Sequence, residues 1–332
     1  MSRPIFDRKN ILVTGGAGFI GSHLCDELVK KHKVICLDNF TTGREENINH
    51  LLQNPNFEFI RHDLTQPIEL ESEPSLKSFQ VEFQGIQEIY HLAAPGSPKA
   101  YTENPIETLT TCADATKNSL ELAVKYQAAY VFASSASFYG EPMEPTPFPE
   151  NFWGYLDPIG LRSAEAEGKR FAESLVFHYY KMKKVNAKIA RVFNVYGPRL
   201  RPDDGRMIPE LVTHALKGEP LTVFGNPNDL TTLCYISDLV EGLVRLMKST
   251  EVGPINLGNP DGVQYDSLVK NIIELTGSKS AASYVPPAGV TVRQGIPNIR
   301  FAKERLGWFP VVTLPEGLRR TVDYFKGVTT TN

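Results

Sequence analysis

A doubly wound, parallel α/β sheet with a smaller, mixed α/β C-terminal substrate lobe is the fold class this sequence predicts. Three observations predict it. Short apolar runs rich in β-branched residues alternate with longer amphipathic stretches in the first half of the chain. Those runs are continuous, which marks strands covered on both faces by helices. The first run passes straight into a glycine-rich turn and a helical pattern, the opening of a βαβ unit.

Each element follows in order. The strands are expected at 10–14, 33–37, 57–60, 88–91, 130–133 and 188–192. Amphipathic stretches at about 18–31, 104–126 and 160–183 supply the crossover helices. Residues 66–85 are polar and poorly periodic, so they read as a surface insertion. Pro142, Pro145, Pro147 and Pro149 stiffen the loop after the fifth strand. Beyond about 195, Pro and Gly become frequent and runs such as 221–224 stand alone. The expected division is therefore 1–194, mainly the dinucleotide-binding Rossmann-type unit, and 195–332, mainly the substrate lobe, with chain crossing between them.

Composition excludes several classes of function. The 332 residues carry 35 Lys+Arg against 38 Asp+Glu, a net charge of −3, so no basic footprint for nucleic acid exists. No apolar run approaches the ~20 residues of a membrane span. The charged N-terminus lacks the apolar core of a signal peptide. Cys25, Cys36, Cys112 and Cys234 form no CxxC pair, which removes zinc and dithiol readings and leaves no metal site. Cys25 and Cys36 read as buried free thiols, and a reducing cytoplasmic setting is expected.

The clearest chemical signal is Thr14-Gly15-Gly16-Ala17-Gly18-Phe19-Ile20-Gly21. Gly15 permits the tight turn, Gly18 the backbone's approach to a pyrophosphate, and Gly21 close helix–strand packing. The helix N-terminus then offers N–H groups to the anion. Asp38 ends the second strand, 17 residues after Gly21. A carboxylate there suits two free ribose hydroxyls and repels a 2′-phosphate, so the expected cofactor is NAD. His62-Asp63-Leu64 borders the adenine end, and the small residues of Leu92-Ala93-Ala94 let backbone lie against a dinucleotide.

Gly15 to Leu24, followed by Asp38-Asn39-Phe40-Thr41-Thr42-Gly43-Arg44, resembles the extended short-chain dehydrogenase/reductase superfamily. Further stretches resemble one branch of it, the UDP-glucuronate decarboxylases (UDP-xylose synthases). These are His91-Leu92-Ala93-Ala94-Pro95-Gly96-Ser97-Pro98, Asn104-Pro105-Ile106-Glu107-Thr108-Leu109, Asp157-Pro158-Ile159-Gly160, Glu167-Gly168-Lys169-Arg170-Phe171-Ala172-Glu173, Arg191 to Arg199, Asp204-Gly205-Arg206, Gly218 to Val223 and Asn256 to Pro260. The resemblance covers nearly the whole chain. It implies NAD contacts from Gly15, Gly18, Phe19, Ile20, Gly21, Asp38, Asn39, Phe40, Thr42, Gly43, Asp63, Leu64, Leu92, Ala93, Ala94 and Lys169. It implies substrate contacts from Tyr101, Asn194, Arg199, Thr231 and Tyr235. In the family, NAD oxidises the sugar C4 hydroxyl, the β-keto acid loses carbon dioxide, and the hydride returns. The base is the tyrosine of Tyr-x-x-x-Lys, assisted by a Thr-Ser-Glu run.

This chain departs from the branch at those chemical positions. Lys169 is in place, but Glu165 stands where the tyrosine belongs. Ser135-Ala136-Ser137 replaces Thr-Ser-Glu. Two family arginines align with Thr231 and Gly295, with Arg293 nearby, and a helix asparagine aligns with Cys112. Tyr179–Lys183 and Tyr180–Lys184 keep the tyrosine–lysine spacing, but Tyr179 lies about 20 Å along the helix from position 165.

Glu165 and Lys169 share a helix face at i, i+4. On an exposed surface that pair contributes only a few tenths of a kcal/mol. At a cofactor, the carboxylate is a weaker base than a phenolate and shorter, so a bridging water is expected to be needed. Lys169, Glu165, Ser135 and Ser137 are the candidate catalytic residues. Three functions follow: a diverged NAD-dependent nucleotide-sugar decarboxylase, epimerase or dehydratase; a non-catalytic NAD-binding pseudoenzyme; or an NAD-dependent enzyme of a non-sugar alcohol. A homodimer is expected, formed by 104–126 and 160–183 through Leu120, Val124, Phe171, Leu175 and Val176.

Overall fold

The computed structural model describes residues 7–141, 147–286 and 295–329. Pro142, Pro145 and Arg293 lie outside them. The strands are β1 (Asn10–Thr14), β2 (Lys33–Asp38), β3 (Phe57–Arg61), β4 (Glu88–His91), β5 (Ala129–Ser135), β6 (Asn186–Val192) and β7 (Pro254–Leu257). They form one sheet in the order β7-β6-β5-β4-β1-β2-β3. Every pairing in it is parallel. The interior residues of β1, β2 and β4 are buried, as continuous apolar strands require. The direction of winding reverses between β1 and β4, so a crevice opens beyond their carboxyl ends.

The first expected helix is α1 (Phe19–Val29). The second stretch is two helices, α2 (Pro105–Thr110) and α3 (Thr116–Tyr126), joined by a π-helical turn at Thr111–Ala115. The third is α4 (Ser163–His178), ending in a π turn at Tyr179–Lys183. Tyr179 spends its hydroxyl on Glu121 at this far end. β7 comes from the C-terminal half of the chain and lies against β6 through Asn256 opposite Arg191.

Two expectations change. Residues 66–85 are not a surface insertion. They form short 3-10 turns, Leu70–Ser72 and Pro74–Phe79, and a single α-helical turn, Val81–Gln84, that bury Leu70, Leu76, Phe79 and Val81 in the core cluster beside β4. A period of three, broken by glutamates, hides those positions from helix or strand patterning. Among the expected dimer residues, Leu120 and Val176 are buried in the chain's own core, and Val124 and Leu175 pack against it. Phe171 is 53% exposed and joins Ile106, Leu109 and Phe177 on the outer faces of α2 and α4.

Behind the crevice lies a buried ion pair. Arg191 of β6 donates from Nη2 to Glu173 Oε2 at 2.8 Å and from Nε to Oε1 at 3.0 Å. Ser134 donates to the same carboxylate at 2.6 Å. Removing one partner leaves an uncompensated buried charge, at about 3–5 kcal/mol. Glu173→Ala is therefore expected to lower unfolding free energy by about 3 kcal/mol or more in urea denaturation. An unchanged midpoint would remove this pair from its structural role.

Candidate functional site

The crevice holds a cavity of about 1170 Å³. Its floor is a glycine cradle. A Cβ at Gly21 would lie 2.1 Å from the Gly15 carbonyl oxygen, and one at Gly15 would lie 2.9 Å from Ala93 N. Gly15 sits at φ +70°, where glycine carries no steric penalty. β1 thus turns into α1 without side chains between the helix N-terminus and the cavity. That is the space a pyrophosphate needs, so the residues present fit a dinucleotide.

Asp38 closes the far side. Its Oδ1 accepts from Phe40 N at 2.8 Å and its Oδ2 from Ala17 N at 3.0 Å. Burial pushes its carboxyl up, and these N–H groups pull against that rise. Asp38 therefore holds the glycine turn as well as facing the cavity. Asn39, Thr42, Asp63, Leu64, Leu92, Ala93 and Ala94 line the same space, with Gly18, Phe19 and Ile20. Phe40 and Gly43 do not line it. Phe40 stacks on Phe59 with centroids 4.9 Å apart. Gly43 lets the backbone pass Asp38, since a Cβ there would sit 2.8 Å from Oδ1.

The opposite wall carries the chemical groups. Glu165 and Lys169 are both buried on α4, not exposed as a surface pair. Lys169 Nζ donates to the Ala133 carbonyl at 2.7 Å and lies over the Phe132 ring at 4.9 Å. Ser135 Oγ donates to Glu165 Oε1 at 3.0 Å. The Ser137 N–H donates to Ser135 Oγ at 3.2 Å. Ser137 itself lines a separate cavity of about 180 Å³ beside the first. Gly168 allows α4 to approach the π turn, because a Cβ there would lie 3.0 Å from Cys112 Sγ.

Tyr101, Asn194, Arg199 and Thr231 line the remaining wall. Asn194 donates to Thr231 Oγ1 at 3.3 Å. Arg199 reaches Asp26 at 2.7 Å, and its Nη1 has no hydrogen-bond partner among the described residues. Tyr235 lies outside this wall, edge-on to Tyr196 with centroids 5.5 Å apart. Gly295 sits against Phe148, whose ring a Cβ would meet at 2.1 Å, so no larger residue fits there.

Sequence reasoning missed Arg162. Its Nη2 lies 3.8 Å from Glu165 Oε2, and its guanidinium lies over the Tyr101 ring at 5.7 Å. The i, i+3 spacing to Glu165 was the available signal. Arg206 also lines the cavity, paired with Asp204 and the Gly96 carbonyl.

Comparison with known proteins gives a consistent result. The model of the NAD dependent epimerase/dehydratase family matches residues 11–258. UDP-glucuronic acid decarboxylase 1 of Xenopus tropicalis is 44% identical over 324 residues, 96% of this chain and 73% of that protein. The UDP-glucose 4-epimerase of Thermotoga maritima, solved with UDP-glucose, superposes with a TM-score of 0.84 at 30% identity, covering 96% and 99% of the two chains. The UDP-glucuronic acid 4-epimerase of Bacillus cereus, solved with UDP-glucuronic acid and NAD, gives 0.83 at 28% identity, covering 96% and 99%.

The cradle and Asp38 make a direct expectation. Asp38→Ala removes acceptors worth about 1.5–3 kcal/mol, so NAD affinity falls roughly 10- to 100-fold and the preference over NADP narrows. Calorimetry with both dinucleotides measures it. Equal affinity of the unaltered protein for NADP would remove Asp38 from this role.

Proposed function

The chain belongs to the NAD-dependent epimerase/dehydratase family, and from that premise we propose that it modifies a nucleotide sugar by transient oxidation of a ring hydroxyl. The substrate class is a UDP-sugar or close analogue, and the acid–base group differs from the branch the sequence resembles. One observation carries this reading. The glycine cradle, Lys169 and the Ser135–Glu165 pair line a single cavity. When bound there, NAD supplies a reversible hydride acceptor. The Gly15–Gly21 turn and Asp38 would hold its pyrophosphate and ribose. Lys169, anchored on Ala133, offers its remaining protons to the nicotinamide ribose. Tyr101, Asn194, Arg199 and Thr231 face the sugar and its diphosphate.

A second reading is favoured by Glu165 itself. Its carboxylate is already engaged by Ser135 and lies near Arg162. A protein that binds NAD and nucleotide without turnover would carry such a site. Turnover with a panel of UDP-, dTDP- and GDP-sugars, followed by mass spectrometry, separates the two readings. A converted sugar supports the first, and binding with no conversion supports the second.

For UDP-glucuronate the expectation is specific. Loss of the phenolic base removes a contribution of about 10²–10⁴-fold. Carbon dioxide release is therefore slow or absent in the unaltered protein. Glu165→Tyr alone leaves it weak, and Glu165→Tyr with Thr231→Arg recovers more. Release at an ordinary rate of about 1 s⁻¹ or faster by the unaltered protein would overturn this expectation.

The outer faces of α2 and α4 support a homodimer. Ile106, Leu109, Phe171 and Phe177 are exposed together on adjacent helices. Light scattering at micromolar concentration is expected to report a dimer, and Phe171→Glu to shift it toward monomer. A monomeric unaltered protein would contradict it.

A further inference from the structure

We infer that Ser135 and Glu165 form a two-residue proton relay, with Ser135 touching the reacting hydroxyl and Glu165 receiving the proton. This rests on the proposed oxidation of a sugar hydroxyl and specifies the proton's path at that site. Ser135 Oγ already donates to Glu165 Oε1 at 3.0 Å, so its proton points at the carboxylate. The Ser137 N–H occupies one lone pair of the same oxygen at 3.2 Å. A hydroxyl has two lone pairs, and the second is left for an incoming O–H. Ser135, Glu165 and Lys169 all line the main cavity, where that O–H would stand. Glutamate is shorter than tyrosine, and the serine hydroxyl spans the difference without a water.

The geometry fixes the carboxylate as well as the hydroxyl. Glu165 Oε2 lies 3.8 Å from Arg162 Nη2, while Oε1 faces Ser135. The two oxygens thus have different neighbours, and Oε1, which already accepts from Ser135, receives the proton. Lys169 lies one turn along α4 and is anchored separately on the Ala133 carbonyl.

The step balances. The substrate O–H proton passes to Ser135 Oγ as the serine's own proton passes to Glu165 Oε1. The C–H electron pair leaves with its hydrogen as hydride to the oxidised nicotinamide dinucleotide, and a C=O bond forms. The alcohol loses two electrons, the dinucleotide gains them, serine ends neutral and glutamate ends protonated. The reverse step returns both the proton and the hydride.

The test uses the full chain loaded with NAD and mixed with UDP-glucose, UDP-galactose or UDP-glucuronate in a single turnover. Reduced nicotinamide is followed by near-ultraviolet absorbance, and carboxyl protonation by infrared difference spectroscopy. Calorimetry measures NAD and UDP affinity separately. Ser135→Ala and Glu165→Gln are each expected to slow reduction about 100-fold or more while both affinities hold. The double variant is no slower than either single one, because the two residues act as a unit. Ser135→Thr, which keeps the hydroxyl, restores most of the rate. A protonated-carboxyl band appears with the unaltered protein and is absent in Glu165→Gln.

Full-rate reduction by Ser135→Ala or Glu165→Gln overturns the relay and leaves the proposed function standing. Loss of NAD or UDP affinity in step with the rate assigns these residues to the site's shape and overturns the relay. A carboxyl band that persists in Glu165→Gln places the proton elsewhere and does the same. No reduction with any sugar, while NAD and UDP both bind, overturns the proposed function and the relay with it.

Discussion

The buried Arg191–Glu173 pair is the interaction on which the geometry of the site depends. It joins β6 to α4 beneath the crevice. Burying two charges is costly, and the pair is tolerable only because its remaining hydrogen-bonding capacity is used. Ser134 of β5 donates to the same carboxylate. Arg191 Nη1 donates to Tyr139 Oη and to the Glu150 carbonyl, both at 2.9 Å. Tyr139 donates in turn to Asn256 Oδ1 of β7 at 2.7 Å. One guanidinium thereby fixes two strands, a helix, the loop after β5 and the returning C-terminal strand. Glu173 lies one helical turn beyond Lys169 on α4, so the pair also sets the depth at which Lys169 and Glu165 stand against the end of β5.

The second constraint is steric and sits across the crevice. Gly15, Gly21 and Gly168 are each positions where a methyl group would meet neighbouring atoms at 3.0 Å or less. The first two place α1 directly over β1 and open the pyrophosphate space. The third lets α4 lie against the π turn between α2 and α3, which bears on the wall holding Lys169. π turns recur at functional sites because they re-aim a helix without ending it. The cavity is the gap between these two close approaches, one on each side of the switch between β1 and β4.

Much of this was legible in the sequence, because its signals are local. Continuous apolar runs gave six of the seven strands to within a few residues, and the glycine spacing with Asp38 pointed to one side of the cavity. Longer-range features were not legible in the same way. Residues 70–79 bury their apolar side chains through 3-10 turns, whose period matches neither a helix nor a strand. The π turn adds a residue inside a helix and so rotates the face that follows relative to the face before, a local irregularity that hydrophobic periodicity does not announce. Phe40 turns away from the cavity because β3 supplies Phe59 as a stacking partner, a contact between residues 19 apart in the sequence. Leu120 and Val176 read equally well as dimer or core residues until the sheet face they cover is known. The separation of Ser137 from Ser135, two residues apart yet in different cavities, follows from the turn at 136–139.

The arrangement also explains how one chemical position can change while its neighbours stay. Lys169 is held by the Ala133 carbonyl and the Phe132 ring, both belonging to β5. Glu165 is held by Ser135 and has Arg162 nearby, at the end of β5 and the start of α4. The two anchors share no atom. A carboxylate at position 165 therefore meets its own hydrogen-bonding partner and leaves the lysine's support intact. An unpartnered buried carboxylate would have carried a large desolvation cost and disturbed the helix start. Here the hydroxyl at 135 and the guanidinium at 162 offset that cost locally. The dinucleotide half of the cavity lies on the other side of the switch point and depends on neither. The glycine turn with Asp38 and the position held by Glu165 are thus structurally separable, because they share no hydrogen-bonding partner.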